Sequence, residues 1–305
     1  MKYTGRAFGQ DAELSLEREG VRLGSRFLDF ADVKTIRPIN HRVLIDTLDG
    51  EEIEISMLGF SYDGFWEELM ELYGRRSLEA LFVEEKQLML SEGEYQTPHG
   101  SGRAKIALYE DAVCILPQTC RAVRIPLCFA EELRLDGYQM HIQLRTGARF
   151  MVGRMGFDTK PFAERAQQAA DRVKKARARA LEALGVQPPF THKGLLRTAQ
   201  PEQYWQAAFG NGVCAVELAT GGDAATYLYR FSENGEVFLR QLEMAMEAMG
   251  PHREIIYWSG EQLQARPLYR MAVQRSEAVL FLRERSAGRL IHNATHEQRL
   301  QAFLS

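Results

Sequence analysis

The chain has 305 residues, 45% apolar and 26% charged, the ordinary balance of a soluble globular protein, and its length predicts two to three domains. A formal net charge of -3 excludes a global pull toward nucleic acid or an anionic membrane, so any such contact has to be local. Residues 1–10 lack the apolar core of a signal peptide and no run approaches the length of a membrane span, which predicts a cytoplasmic protein.

Along the chain, Glu13-Leu14-Ser15-Leu16-Glu17 and Val21-Arg22-Leu23 alternate apolar and polar residues around Gly20, the pattern of a half-buried hairpin. Strands are expected over 27–36, over 43–45, and over 51–57 after the turn signal Asp49-Gly50. A helix starting at Ser61 or Asp63 carries Phe65, Leu69, Leu72 and Tyr73 on one face and is expected to stop at Gly74.

The same text then recurs. An offset of 92 lays Tyr3 on Tyr95, Ala12 on Ala104, Leu14 on Ile106, Leu16 on Leu108, Val21 on Val113 and Leu23 on Ile115. An offset of 97 follows, placing Ile36 on Leu133, Gly50 on Gly147, Gly59 on Gly156, Phe60 on Phe157 and Phe65 on Phe162. A unit of this size is too long for a solenoid repeat and reads as a domain copied in tandem. The second copy's strands are expected at 105–109, 112–116, 122–127, 132–135, 140–144 and 149–153. Its helix begins at Asp158 or Thr159, carries Phe162, Ala166, Ala169, Val173, Ala180 and Leu184, and ends at Gly185 and Pro188-Pro189. In each copy the helix covers apolar surface that an open strand set leaves exposed.

Beyond residue 188 the character changes. A hairpin is expected from 213–218 and 226–231 around Gly221-Gly222, then a helix over 236–249 closed by Gly250-Pro251. Strands are expected at 254–258, 268–273, 278–283 and 289–292, and Thr295 caps a last helix. The chain thus divides into 1–90, 91–187 and 188–305, the last an α+β domain.

Short antiparallel strands followed by one C-terminal helix resemble the pleckstrin-homology-like superfold. The resemblance rests on the strand-to-helix junctions Leu58-Gly59-Phe60-Ser61-Tyr62-Asp63-Gly64-Phe65-Trp66 and Met155-Gly156-Phe157-Asp158-Thr159-Lys160-Pro161-Phe162, and it covers residues 1–184. It implies an α+β protein with two tandem barrels or sandwiches and a non-catalytic platform for proteins, peptides or phosphorylated lipids. Lipid-binding members place basic residues on the first strand and following loop, whereas Glu17-Arg18-Glu19 and Glu110-Asp111 stand there in this chain.

The clearest charged candidate is Arg172, Lys174, Lys175, Arg177 and Arg179 on the second helix, which could grip an acidic partner or be a solvated face diluted by Glu164, Asp171 and Glu182. Cys114, Cys120, Cys128 and Cys214 form no CxxC pair and read as structural thiols. His292 and His296 lack a completing ligand set, so no metal is expected. No GxGxxG, Walker-type loop, GxSxG or HExxH occurs, so neither cofactor, catalytic site nor small-molecule substrate is expected. The reading is an adaptor for a protein partner, with nucleic acid excluded and anionic lipid not favoured. An enzyme or regulatory subunit with its site in residues 200–305, and a peripheral membrane protein using the basic helix, are the alternatives.

Overall fold

The computed structural model describes residues 2–184, 204–210, 213–220, 223–232, 234–250 and 252–292. In the first copy the strands are β1 (Lys2–Ala7), β2 (Gln10–Leu16), β3 (Gly20–Leu23), β4 (Arg26–Asp29), β5 (Val33–Ile39), β6 (Arg42–Thr47) and β7 (Glu52–Ser56). They form one antiparallel sheet in the order β4-β3-β2-β1-β7-β6-β5, followed by helix α1 (Tyr62–Ala80). The second copy gives β8 (Gln87–Thr97), β9 (Gly100–Tyr109), β10 (Ala112–Leu116), β11 (Val123–Pro126), β12 (Ala130–Asp136), β13 (Gln139–Leu144) and β14 (Arg149–Gly153), ordered β11-β10-β9-β8-β14-β13-β12, then helix α2 (Thr159–Leu184).

Matching strand order extends to matching detail. The register breaks between Val33 and Thr35 in one copy and between Ala130 and Glu132 in the other, 97 residues apart. Left-handed backbone falls at Gly50 and Gly147, at Met57 and Arg154, and at Gly59 and Gly156. A Cβ on Gly5 would lie 2.9 Å from Ser56 O, with Leu14 and Leu58 next nearest; one on Gly93 would lie 2.5 Å from Gly153 O, with Met155 and Ile106 next. Both glycines exist because two strands approach a third at one point.

That last pair corrects the alignment of the first strand. Gly5 pairs with Ala12 and Gly93 with Ala104, so the offset there is 88, and Tyr3 stands opposite Leu14 as Ser91 stands opposite Ile106. Tyr95 therefore occupies the place of Ala7, and the match of Tyr3 to Tyr95 is coincidental. The second copy has gained four residues at the β8–β9 turn. It has gained five more between β10 and β11, where the offset steps from 92 to 97.

Both insertions form joints. The β10–β11 loop lies along β5 of the first copy: Ile36 N donates to Gln118 O at 2.8 Å, Cys120 N donates to Lys34 O at 2.8 Å, and Thr35 bridges Thr119. At the longer hairpin's tip, His99 O accepts from Arg121 Nη1 at 2.8 Å and His99 Nε2 sits 2.9 Å from Glu277 Oε1.

Helix α1 does not stop at Gly74. Its buried stripe of Phe65, Leu69 and Tyr73 continues through Ser77 and Ala80, and this burial outweighs the roughly 1 kcal/mol that a mid-helix glycine costs. At the helix end and just past it, Leu78 and Val83 pack on Ala107, Tyr109, Ala112 and Cys114 of the second copy. In α2, Phe162, Ala166, Ala169 and Ala170 are buried.

The C-terminal region has a four-stranded antiparallel sheet of β15 (Tyr204–Gly210), β16 (Val213–Thr220), β17 (Asp223–Arg230) and β18 (Ser286–His292), with α3 (Gly235–Met249), α4 (Gly260–Gln264), α5 (Pro267–Arg275) and α6 (Glu277–Arg285) between β17 and β18. The strands expected at 268–273 and 278–283 are helical instead, and the one expected at 254–258 is a 3-10 turn over Arg253–Ile256 followed by a loop. Ser259 and Gln262 form a capping box, Pro267 opens α5, and Ser276 Oγ accepts from Val279 N to cap α6. These start signals outrank the short apolar runs, which fit either period. Strand β15 falls where the sequence carries no expected strand. The expected stops at Gly185, Pro188-Pro189 and Pro251, the turn at Gly221-Gly222, the helix from Thr295 and the residue His296 lie outside the described residues.

One continuous core unites the first copy with this region, running from Leu14, Phe30 and Tyr73 to Phe238, Met246, Met271 and Leu282. At its centre Arg275 Nη2 donates to Phe30 O at 2.7 Å, Ala31 O at 3.1 Å and Val33 O. Arg270 Nη1 lies 3.0 Å from Asp32 Oδ1, and Phe82 stacks on His252 with centroids 4.4 Å apart. The second copy keeps a separate core around Ile106, Phe129 and Phe162. It meets α3 through Met244, which packs against this core, and through Arg145 Nη2 to Glu243 Oε2 at 3.2 Å.

Candidate functional site

Each copy turns from its last strand into its helix through one residue with positive φ, a connecting residue, and a short 3-10 turn whose glycine also has positive φ: Met57 and Gly59 in one, Arg154 and Gly156 in the other. This backbone throws the next side chain outward. Phe60 and Phe157 are fully exposed at 111% and 102%, although both follow a buried anchor, Leu58 and Met155. The same outward Phe recurs in both copies.

The surroundings differ between the copies. Beside Phe60, Met57 is exposed and the rings of His41 and Tyr62 meet edge to face at 5.2 Å. Burial, then the nearby charge of Asp63, pushes the Tyr62 phenol above its ordinary range, so the ring stays neutral. In the second copy the place of His41 is taken by the exposed Tyr138, whose carbonyl accepts from Arg154 N at 2.8 Å. Arg154 Nη1 reaches Glu94 Oε2 at 3.1 Å. One patch is therefore apolar with a histidine, the other aromatic with an ion pair.

Sheet edges offer less. The β5 edge is taken within the chain by the 118–120 segment. The outer strand β12 carries exposed Glu131, Glu132, Arg134 and Asp136, charges that discourage edge pairing.

The basic residues expected on the second helix do lie on α2, where Arg172, Lys174, Lys175 and Arg179 are exposed. They do not make one patch. Arg172, Lys175 and Arg179 share a flank with Gln168 and Asp171, while Lys174 projects roughly 100° away at the spacing of an α-helix. The side chain of Arg177 lies outside the described residues. The carboxylates Glu17 and Glu79 are paired, Glu17 with Arg22 at 2.8 Å and Glu79 with Arg18 at 2.7 Å.

The repeated Phe was visible in the sequence as Phe60 on Phe157, but its exposure was not: a Phe in an apolar junction reads as core until the backbone direction is known. Among the described residues no cluster of three His, Cys, Asp or Glu is placed to hold a metal, and no helix is long and apolar enough to cross a membrane. No protein-family model matches the chain, and no curated protein matches it.

Proposed function

We propose that the chain is a non-enzymatic cytoplasmic scaffold in which two pleckstrin-homology-like units dock a protein partner through the exposed aromatic junctions at Phe60 and Phe157. The observation that carries this reading is the repetition of a fully exposed Phe at equivalent positions. Burying one such ring against a partner is worth about 1.5–3 kcal/mol, the size of an interface hot spot. Because Met57, Tyr62 and its ring partner His41 belong to one junction, and Arg154 with its backbone partner Tyr138 to the other, the two sites fit different pockets. Continuity of the first copy's core with the C-terminal helices supports a fixed presentation of these groups.

Affinity capture from the source cells tests this reading. The wild-type chain should retain a stoichiometric partner that Phe60→Ser with Phe157→Ser releases by at least tenfold, while the variant's stability changes by less than about 0.5 kcal/mol as for an exposed site. Undiminished capture by the variant would count against the junctions.

A membrane-associated reading is favoured by the shared flank of Arg172, Lys175 and Arg179. Each basic residue near an anionic surface contributes roughly 1 kcal/mol. Asp171 on the same flank offsets one of them, so we place a protein partner first. Cosedimentation with phosphatidylserine vesicles at physiological salt, abolished by Arg172→Glu with Lys175→Glu, would reverse that order.

A further inference from the structure

A cavity of about 330 Å³ opens where three parts of the chain meet: β11 and the β13–β14 turn of the second copy, the inner face of α3, and the α5–α6 corner. Its volume lies at the small end of the roughly 300–1,000 Å³ range of small-molecule sites. The walls are mostly apolar, with Phe150, Met244 and Phe281 as the largest such side chains.

Two guanidiniums stand in that wall. The Arg124 side chain is 2% exposed and Arg275 is 8% exposed. Arg124 Nη2 donates to Asp111 Oδ2 at 2.5 Å, and Arg275 Nη2 is held by the carbonyls of Phe30, Ala31 and Val33. On both residues Nε and Nη1 are covered and have no hydrogen-bond partner, as has Thr146 Oγ in the same wall. Five unsatisfied polar atoms at one cavity are far from the rule that buried polar groups are paired. Each donor on a buried cation carries a desolvation cost that an acceptor would remove.

Charge selects the occupant. Two guanidiniums stand in the wall and one carboxylate, Asp111, is bonded to the first of them, an excess of one positive charge. Glu277 stands at the rim with its side chain 66% exposed and is engaged by His99 at 2.9 Å. The start of α6 at Ser276, Glu277 and Ala278 also borders the cavity, and the positive end of its dipole adds to the preference for an anion. We propose that this cavity binds a small organic monocarboxylate, its carboxylate drawing the Nε and Nη1 edges of Arg124 and Arg275 out from behind the wall and its hydrocarbon body lying against Phe150, Met244 and Phe281. A dianion such as inorganic phosphate brings one charge too many and leaves the apolar wall uncovered.

Calorimetric titration of the full chain with octanoate, octanol and inorganic phosphate tests the proposal. Octanoate should bind one-to-one, octanol at least tenfold more weakly, and phosphate should give no heat at the same concentrations. Replacing the pair together, Arg124→Leu with Asp111→Leu, leaves no lone buried charge and should cost octanoate at least tenfold while leaving octanol unchanged. Ala248→Phe fills the cavity from α3 without touching either arginine and should abolish both. Absence of octanoate binding at millimolar concentration, equal binding of octanol, or undiminished octanoate binding to Ala248→Phe would each overturn the assignment.

Discussion

Arg275 and Tyr73 touch at the centre of the shared core, the guanidinium carbon 5.8 Å from the ring centroid, yet they contribute in opposite senses. Arg275 donates to three carbonyls at the turn between β4 and β5, so Arg275→Leu removes this donor from all three, and Phe30 O keeps the N–H of Val33. We expect a loss of about 2–5 kcal/mol, read from urea denaturation. The Tyr73 hydroxyl has no partner and its ring is 1% exposed, so Tyr73→Phe should change stability at neutral pH by less than about 1 kcal/mol. Burial pushes the Tyr73 phenol up to about 12. A neutral acid whose folded pKa is raised binds its proton more tightly when folded, so its contribution is intact below the unfolded value near 10 and is lost as pH rises from there through 12. For a fully buried phenol this loss is on the order of 2–3 kcal/mol. Denaturation midpoints between pH 9 and pH 11.5 should therefore fall less steeply for Tyr73→Phe than for the parent; identical slopes would remove Tyr73 from the alkaline loss.

At the level of elements, the two copies offer an internal control. Phe65 and Phe162 are both 0% exposed, each the first large apolar residue of its helix. Truncation of either to Ala should cost about 3–5 kcal/mol, and a shift below 1 kcal/mol in denaturant would contradict the burial. This much was legible in the sequence, because a copied apolar stripe and copied turn glycines are periodic, local signals. Strands β1 and β8 escaped because Thr4-Gly5-Arg6 and Glu92-Gly93-Glu94 lack apolar alternation; their glycines answer a strand crossing that only the folded sheet contains. Helices α5 and α6 escaped for another reason: stretches such as Leu268-Tyr269 and Val279-Leu280-Phe281 suit a strand when the capping residues Pro267 and Ser276 are given no weight. The surface candidates were legible as residues and not as surfaces. A run of basic residues in sequence is split by the helix geometry of α2, and the two phenylalanines that the repeat aligns at the junctions face solvent.

For the whole molecule, the two insertions that distinguish the second copy hold it against the first copy and α6, while the first copy depends on the C-terminal helices for part of its core. Folding should be correspondingly unequal. Residues 87–184 enclose a core of their own and should unfold cooperatively when expressed alone, whereas residues 1–86, deprived of Phe238, Met271 and Leu282, should not. Circular dichroism of the two fragments checks this, and a cooperative transition for 1–86 would contradict it. The arginine-lined cavity could not be read from the sequence at all, since Arg124, Thr146 and Arg275 are brought together only by the packing of all three parts.

The proposed scaffold grips its protein partner by the outward phenyl groups of both copies. The most direct test is quantitative capture from the source cells by four versions of the full chain: the parent, Phe60→Ser, Phe157→Ser and the double variant. Each single variant should weaken one stoichiometric partner and the double variant should lose it, with all four chains equally folded by circular dichroism. Retention of every partner by the folded double variant would contradict the proposed grip.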